Sequence, residues 1–245
     1  MNAAASHMSL VGPESQDLTN EISVLQQMLK FDGAKVLELG CGAAEKTRMI
    51  VEQTGVESVI AAEVDDIQHQ KNLALTDLGR VTFKTYGAEE IVESDQIFDI
   101  VLMFKSLHHV PLDQLDCALQ EIQRVLKPGG FAYISEPVFA GRFNEIMRIY
   151  HNEQVVRQAA FDAVGRSITK NLFCLESEYF FHNRIRLESW QQYDKGILNV
   201  THTNHNLSTE QHAEVKQRFL ASETEEGFVF DIPNRVDLLK KLLST

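Results

Sequence analysis

The chain has 245 residues, 44% hydrophobic and 24% charged, which is ordinary globular usage and enough for one large domain with a packed core. A formal net charge of −12 counts against a nucleic-acid backbone or an anionic membrane surface as main partner, because either needs a basic face. No apolar run reaches the roughly 18 residues of a membrane helix, and the start, MNAAASHMSL, lacks the basic and apolar regions of a signal peptide.

Residues 1–8 read as an expression-vector remnant, and 9–245 as a single domain. Leu18, Ile22, Leu25 and Leu29 share one helical face, so LTNEISVLQQMLK is predicted to be an amphipathic helix, broken at Asp32-Gly33. AKVLEL follows as a short buried strand that ends at Gly40. AEKTRMIVEQT reads as a helix, SVIAAEV as the second strand, IQHQKNLALTDL as the second helix and VTFKTYG as the third strand. FDIVLMF, the fourth strand, is nearly continuous in apolar residues, as a strand covered on both faces must be. PLDQLDCALQEIQRVLK is a helix opened by Pro111, with Leu112, Leu115, Leu119, Ile122 and Leu126 as its stripe. KPGG stops it, and FAYISEPVF is the fifth strand.

Strands and helices therefore alternate from about residue 34 to 139. This is the pattern of an α/β fold, a doubly wound and mostly parallel sheet with right-handed crossovers. After Pro137 the rhythm fails. Residues 141–173 read as helical with Gly165 interrupting, EYFFHNRIRL as a strand, and LSTEQHAEVKQRFLA as a helix capped by Ser208. GFVFDI and RVDLLKKL, on either side of Pro233-Asn234, suggest a closing antiparallel pair. A helical lid insertion over about 140–205 is expected after the fifth strand. Cys41, Cys117 and Cys174 are odd in number and widely spaced, which points to free thiols in a reducing, cytoplasmic compartment.

The stretch VLELGCGAAEKT carries most of the functional signal. Gly40 and Gly42 leave the first strand ahead of a helix, where glycine permits positive φ and the helix start offers unpaired N–H groups. A dinucleotide fingerprint needs a third glycine at position 45, but Glu45 stands there, and a carboxylate would repel a pyrophosphate. That counts against a nicotinamide dehydrogenase. A phosphate-free ligand, S-adenosylmethionine, suits an acidic loop better, since Glu38 attracts an ammonium.

The run VLELGCGAAEKT resembles the first motif of class I S-adenosylmethionine-dependent methyltransferases. SVIAAEVD, YGAEE, FDIVLMFKSLHHVP and EIQRVLKPGGFAYISEP are similar to the family's later pieces, in the family's order, across about residues 30–137. The nearest branch is the small-molecule one that includes ubiquinone/menaquinone C-methyltransferases.

The resemblance implies roles. Gly40, Cys41 and Gly42 would wrap the methionine end of the cofactor, with Glu38 facing its amino group. Glu63, beside Val64, would hold both ribose hydroxyls. It lies about twenty positions after Gly40, as a ribose-binding acid should, with Asp65 as an alternate. Ala88 and Glu89 would line the adenine, and Phe104 and Lys105 the cofactor's amino acid part. The sequence departs from the family at Ala44, where a third loop glycine is usual, and at Gly87, where an adenine-binding aspartate is often found.

Methyl transfer from a sulfonium is an in-line displacement that releases a neutral thioether, so proximity does much of the work. A base is needed only where the nucleophile must lose a proton. His108, His109 and Glu136, at the exits of the fourth and fifth strands, are the catalytic candidates. Arg142, Tyr150, His151 and His182 are candidates for binding the acceptor.

His202, His205 and His212 lack a companion carboxylate or cysteine at ligand spacing, and Asp65-Asp66 lies at the wrong strand end for a magnesium site, so no metal is expected. The expected activity is methyl transfer to a small-molecule acceptor by a monomer or homodimer. A catalytically silent cofactor-binding subunit is the alternative.

Overall fold

A computed structural model describes residues 8–13, 16–198 and 207–243. Met8 apart, the supposed vector remnant therefore lies outside the described residues, as do His202 and His205.

One eight-stranded sheet organises the chain. Its strands are β1 (Asp17–Leu18), β2 (Lys35–Leu39), β3 (Ser58–Ala62), β4 (Val81–Lys84), β5 (Phe98–Phe104), β6 (Leu126–Pro137), β7 (Phe173–Leu187) and β8 (Phe228–Lys241). Their spatial order is β1-β7-β8-β6-β5-β2-β3-β4. The run β6-β5-β2-β3-β4 is parallel throughout. β8 pairs antiparallel with both β6 and β7, so the fold is doubly wound and mostly parallel, as expected. Because β2 neighbours β3 on one side and β5 on the other, the winding reverses there. The crevice at the C-terminal ends of β2 and β5 is where such a sheet takes a ligand.

Helices cover both faces. α1 (Glu21–Met28) and α2 (Glu45–Gln53) lie on one face, where Ile22, Leu25 and Ile50 pack against Val36, Leu102 and Tyr133. α4 (Leu115–Val125) and α6 (Gln154–Thr169) lie on the other, with Leu119, Ile122, Ala163 and Val164 against Leu37, Val101 and Ile134. α3 (Asp66–Leu73) lies near the rim and buries only Asn72.

Several boundaries differ from expectation. Asn20 caps α1, its Oδ1 accepting from the Ser23 N–H, so the helix starts three residues later than the apolar spacing suggested. α4 begins at Leu115 rather than Pro111, and Leu112 is exposed. Gly165 does not interrupt α6. The break comes earlier, between α5 (Arg142–Met147) and α6. The anticipated C-terminal pair is one strand, β8, which runs straight through Pro233. Proline is tolerated there because the ladder with β6 ends at Asn234, opposite Pro137, so its missing N–H leaves no bond of that ladder unmade.

The insertion is also differently built. Residues 154–187 belong to the sheet and its helical layer and do not form a lid: α6 is a core helix and β7 pairs with β8 along its whole length. What stands off the sheet is α5, α7 (Trp190–Tyr193) with a π-turn over Asp194–Leu198, and α8 (Thr209–Leu220). These elements share a separate aromatic cluster with the outer ends of β7 and β8, built on Trp190, Tyr193, Phe219, Phe228 and Phe230. α8 opens on the anticipated Ser208 cap. It is a full capping box, Ser208 Oγ accepting from Gln211 N–H and Gln211 Oε1 from Ser208 N–H. No described helix is long and apolar enough to cross a membrane.

Candidate active site

The loop after β2 turns through three left-handed residues, Gly40 (φ 74°), Gly42 (φ 52°) and Ala44 (φ 59°). The N–H groups of Gly40 and Cys41 both donate to the Ala62 carbonyl, which pins the loop to the end of β3. A β-carbon on Gly40 would lie 2.7 Å from Ser106 Cβ, so this glycine also lets the β5 exit close against the loop. A β-carbon on Gly42 would project into open space. There, positive φ is the constraint, and the backbone stays bare toward the crevice.

Ala44, where a third glycine was missing, keeps the glycine conformation instead of shifting away from it. Left-handed backbone costs an L-residue about 1–2 kcal/mol, against glycine's extra unfolded entropy of about 0.5–1 kcal/mol. Ala44→Gly is therefore expected to raise stability by roughly 0.5–1 kcal/mol, or a few degrees in a melting scan. A fall in melting temperature would remove the strain argument.

Glu63 is the organising acid. Its Oε2 accepts from the Gly42 N–H at 2.7 Å and its Oε1 from the Asp65 N–H at 3.0 Å. One carboxylate thus bridges the glycine loop and the turn after β3, at the rim of the crevice. Asp65, the alternate, is committed elsewhere: its Oδ1 caps α3 by accepting from the Ile67 and Gln68 N–H groups. Val64, beside Glu63, exposes 63% of its surface at the same rim.

Glu38 is fully buried and accepts from Thr47 Oγ1 at 2.6 Å, and burial pushes its carboxyl up to about 7. Cys41 is buried, with Asn72 Nδ2 3.6 Å from its sulfur. Burial, with the charges of Glu38 and Glu63, raises its proton affinity, so it is a thiol filler and not a nucleophile.

Past β4, Ala88 is buried and Glu89 folds back over Gly87. A β-carbon on Gly87 would come within 2.3 Å of Glu89 Oε1. The Glu89 carboxylate therefore occupies the space in which an aspartate at 87 would begin.

At the β5 exit, Phe104 is half-buried and Lys105 adopts φ 55°, its N–H donating to Ser135 O at 2.7 Å. Ser106 Oγ donates to Leu39 O at 2.9 Å and ties this exit to the glycine loop. A short 3-10 turn, Leu107–His109, then brings the histidines to the end of β6. Glu136 Oε1 accepts from the Leu107 N–H at 2.9 Å, and its Oε2 is bonded to His108 Nδ1. On the other side, His108 Nε2 lies 3.5 Å from Glu153 Oε1. Burial alone would lower the His108 pKa, but the two carboxylates outweigh it and hold it up at about 9, so the ring is an imidazolium.

Glu153 also pairs with Arg157 Nη2 and with His151 Nε2, the latter at 2.8 Å, and His108 and Arg157 hold its carboxyl far below the usual range against burial. His109 packs against His108 with ring centroids 4.1 Å apart and planes tilted by 42°. Burial and the His108 charge lower its pKa, so at neutral pH it is the uncharged imidazole of the pair.

His108, His109 and Glu153 place ligand atoms within 4.8 Å of one another. Both nitrogens of His108 and both oxygens of Glu153 are already engaged by protein groups, so a metal ion would have to displace them. The cluster is spread over two elements, 44 positions apart in sequence, which is why local spacing did not reveal it.

Of the acceptor candidates, His151 joins this network. Tyr150 bonds the Tyr193 hydroxyl at 3.0 Å within the aromatic cluster. Arg142 lines a separate cleft of about 560 Å³ with Arg184 and Asp231. His182 sits in β7 opposite Leu18 and Pro233. His212 bonds Asp194 at 3.1 Å, on α8. Sequence reasoning missed Glu153, Arg157 and Arg235. The only local signal was a Glu–Arg pair four apart, which on most helices is a solvated surface pair.

A family model described as a methyltransferase domain matches residues 36–130, which include the glycine loop, Glu63, Glu89 and the paired histidines. This stretch is a methyltransferase domain, and its relatives support the class I S-adenosylmethionine-dependent type. It is 30% identical to the methyltransferase GfsG of Streptomyces halstedii over 120 residues, 46% of this chain and 41% of that protein. It is 31% identical to the ubiquinone/menaquinone biosynthesis C-methyltransferase UbiE of Idiomarina loihiensis over 126 residues, 48% of this chain and 49% of that one. The chain thus spans half or less of the length of these curated relatives.

Its fold matches the YcgJ protein of Bacillus subtilis with a TM-score of 0.64 at 14% identity, over 91% of this chain and 98% of that one. The cofactor of this methyltransferase family is S-adenosylmethionine, and the residues present fit it. The crevice has a glycine backbone left bare at Gly42, a rim carboxylate at Glu63 and a buried acid at Glu38, with no cluster of cations suited to a pyrophosphate in the loop.

Proposed function

We propose that this chain transfers a methyl group from S-adenosylmethionine to a small-molecule acceptor. The observation that carries the reading is Glu63, a single carboxylate that holds the glycine loop by the Gly42 N–H and still offers lone pairs to a ribose at the switch point of the sheet. In this reading Gly40, Cys41 and Gly42 cradle the methionine end and Glu38 faces its ammonium. Glu63 and Val64 take the ribose and Ala88 and Glu89 the adenine, with Phe104 and Lys105 beside the amino acid part. When bound, the cofactor supplies a methyl group activated by the sulfonium. The chain's own task is to hold the acceptor in line and keep water out.

Where the acceptor carries a proton, His109 takes it. His108 is doubly protonated between Glu136 and Glu153, and each Glu136 oxygen already accepts a hydrogen bond, whereas His109 is uncharged and partly open to solvent. His108 and Glu136 are positioning residues that fix the turn bearing His109.

Calorimetry with S-adenosylmethionine, its demethylated product and NAD tests the reading. The first two should bind and NAD should not. Absence of heat with either sulfur nucleoside at millimolar concentration would overturn it. Proton linkage gives a sharper check. Glu38 titrates near 7 in the free protein, and an ammonium beside it favours the carboxylate. Cofactor binding at pH 6.5 should therefore release a proton, seen as a binding enthalpy that varies with the buffer's ionisation enthalpy. The variation should vanish by pH 8.5, and identical enthalpies in all buffers at pH 6.5 would exclude Glu38 from the site.

A further inference from the structure

We propose that the acceptor is a small organic acid whose carboxylate seats between Arg157 and Arg235, an inference that rests on the methyl-transfer reading above. A cavity of about 110 Å³ opens beside the β6 exit, lined by Glu136, Val138, Phe139, Arg157 and Arg235 and walled on its outer side by Leu10 and Val11. It is large enough for a carboxylate head and too small for a whole metabolite, and Leu10, Val11, Val138 and Phe139 give it apolar walls beside the amides of Gln154 and Gln158. The acceptor therefore presents a compact polar end to the floor and an apolar body to the wall.

The floor selects the sign of that polar end. Both arginines are more than nine-tenths buried. Arg157 gives Nη2 to Glu153 and makes long contacts from Nη1 to Val138 O at 3.5 Å and Asn144 Oδ1 at 3.4 Å. Its Nε is buried with no hydrogen-bond partner among the described residues. Arg235 gives Nε to Asp237 Oδ2 at 3.0 Å and lays its guanidinium on the Phe161 ring at 4.4 Å. Its terminal nitrogens make no hydrogen bond among the described residues.

The acidic lining residue, Glu136, is turned to other partners, each of its oxygens accepting from Leu107 or His108. Arg157 Nε is thus an unmatched buried donor at the cavity, beside terminal nitrogens of Arg235 that make no hydrogen bond among the described residues, and buried donors left unmatched are costly. A carboxylate accepts from such forks in a bidentate manner, whereas an ammonium or an amide nitrogen has nothing to offer them. The strand register explains why the two arginines meet: Arg235 on β8 lies directly opposite Glu136 on β6, and α6 brings Arg157 over that pair.

The test uses the whole chain and matched probes: acetate, benzoate and 4-hydroxybenzoate, each against its neutral amide, with inorganic phosphate as a second anion. Binding is read by calorimetry and by the ¹⁵N–¹H signals of the arginine Nε–H groups. At least one carboxylate should bind about tenfold tighter than its amide and shift the Nε–H signal of Arg157. Arg157→Lys and Arg235→Lys, which keep the charge but lose the fork, should each abolish that preference while S-adenosylmethionine still binds.

Three results overturn the proposal: no carboxylate preferred over its amide, a preference unchanged in both variants, or phosphate binding while the carboxylates do not. The two readings fail separately. Cofactor binding without carboxylate preference removes only this inference, and carboxylate binding without cofactor binding removes the methyl-transfer reading beneath it.

Discussion

Glu63→Ala should lower affinity for S-adenosylmethionine by at least about a hundredfold, and with it the thermal stabilisation that the cofactor confers. Two losses combine. The ribose loses hydrogen bonds to an ionised acceptor, each of about 1.5–3 kcal/mol, and two of these exceed the roughly 2.7 kcal/mol that a hundredfold change represents. The glycine loop also loses its tether, because Glu63 Oε2 is the acceptor for the Gly42 N–H. A donor freed there no longer holds the left-handed turn in place. Glu63→Gln separates the two losses: it keeps the volume and one acceptor oxygen, so it should fall between parent and alanine variant. The measurement is calorimetric titration, with circular dichroism as the folding control. An alanine variant that stays folded and binds within threefold of the parent would refute the central role given to this acid.

The second large effect concerns His108. Its pKa rises from 6.5 to about 9 because the paired carboxylates overcome the burial that would lower it. A histidine whose folded pKa exceeds its unfolded one stabilises the fold fully below the unfolded value, and the contribution disappears as pH climbs through the folded value. The window is therefore pH 6.5 to about 9. At about 1.36 kcal/mol per pH unit the contribution is on the order of 3 kcal/mol, and the ring's near-complete burial leaves little solvent to screen it.

His108→Gln should lose about that much stability at pH 6, since it leaves Glu136 and Glu153 facing each other without the cation between them. Denaturant melts at pH 6, 7.5 and 9 should show the parent losing stability across this range and the variant remaining nearly flat. Parallel curves would mean that the imidazolium contributes nothing specific. The same variant should reduce methyl transfer to a proton-bearing acceptor by loosening the turn that carries His109, with cofactor affinity little changed.

The cofactor half of the site was readable because its requirements are local. A left-handed turn needs glycine or tolerates alanine at particular positions, and VLELGCGA displays them in one run. The acid after β3 is marked by its distance along a single strand–helix–strand unit, whose geometry leaves few placements. The parallel half of the sheet was equally legible, since β5 must read as apolar on both faces and FDIVLMF does.

The other half was not. α6 carries Ala160, Ala163 and Val164 on its buried face, a stripe too small and too weak to distinguish a core helix from a lid helix. Proline within β8 looked like a break between two strands, and only its position past the rim of β6 makes it tolerable.

By itself, then, the sequence determined the left-handed glycine loop, the parallel strands and the acid after β3, because turn chemistry, strand periodicity and the spacing of an acid from a glycine act over short stretches of chain. Tertiary structure alone decided the polar network around the β5 and β6 exits. His108, Glu136, Glu153, Arg157, Arg235 and Asp237 come from four separate segments, and their protonation and unspent hydrogen bonds depend on partners that only the sheet register of β6 with β8 and the docking of α6 bring within reach.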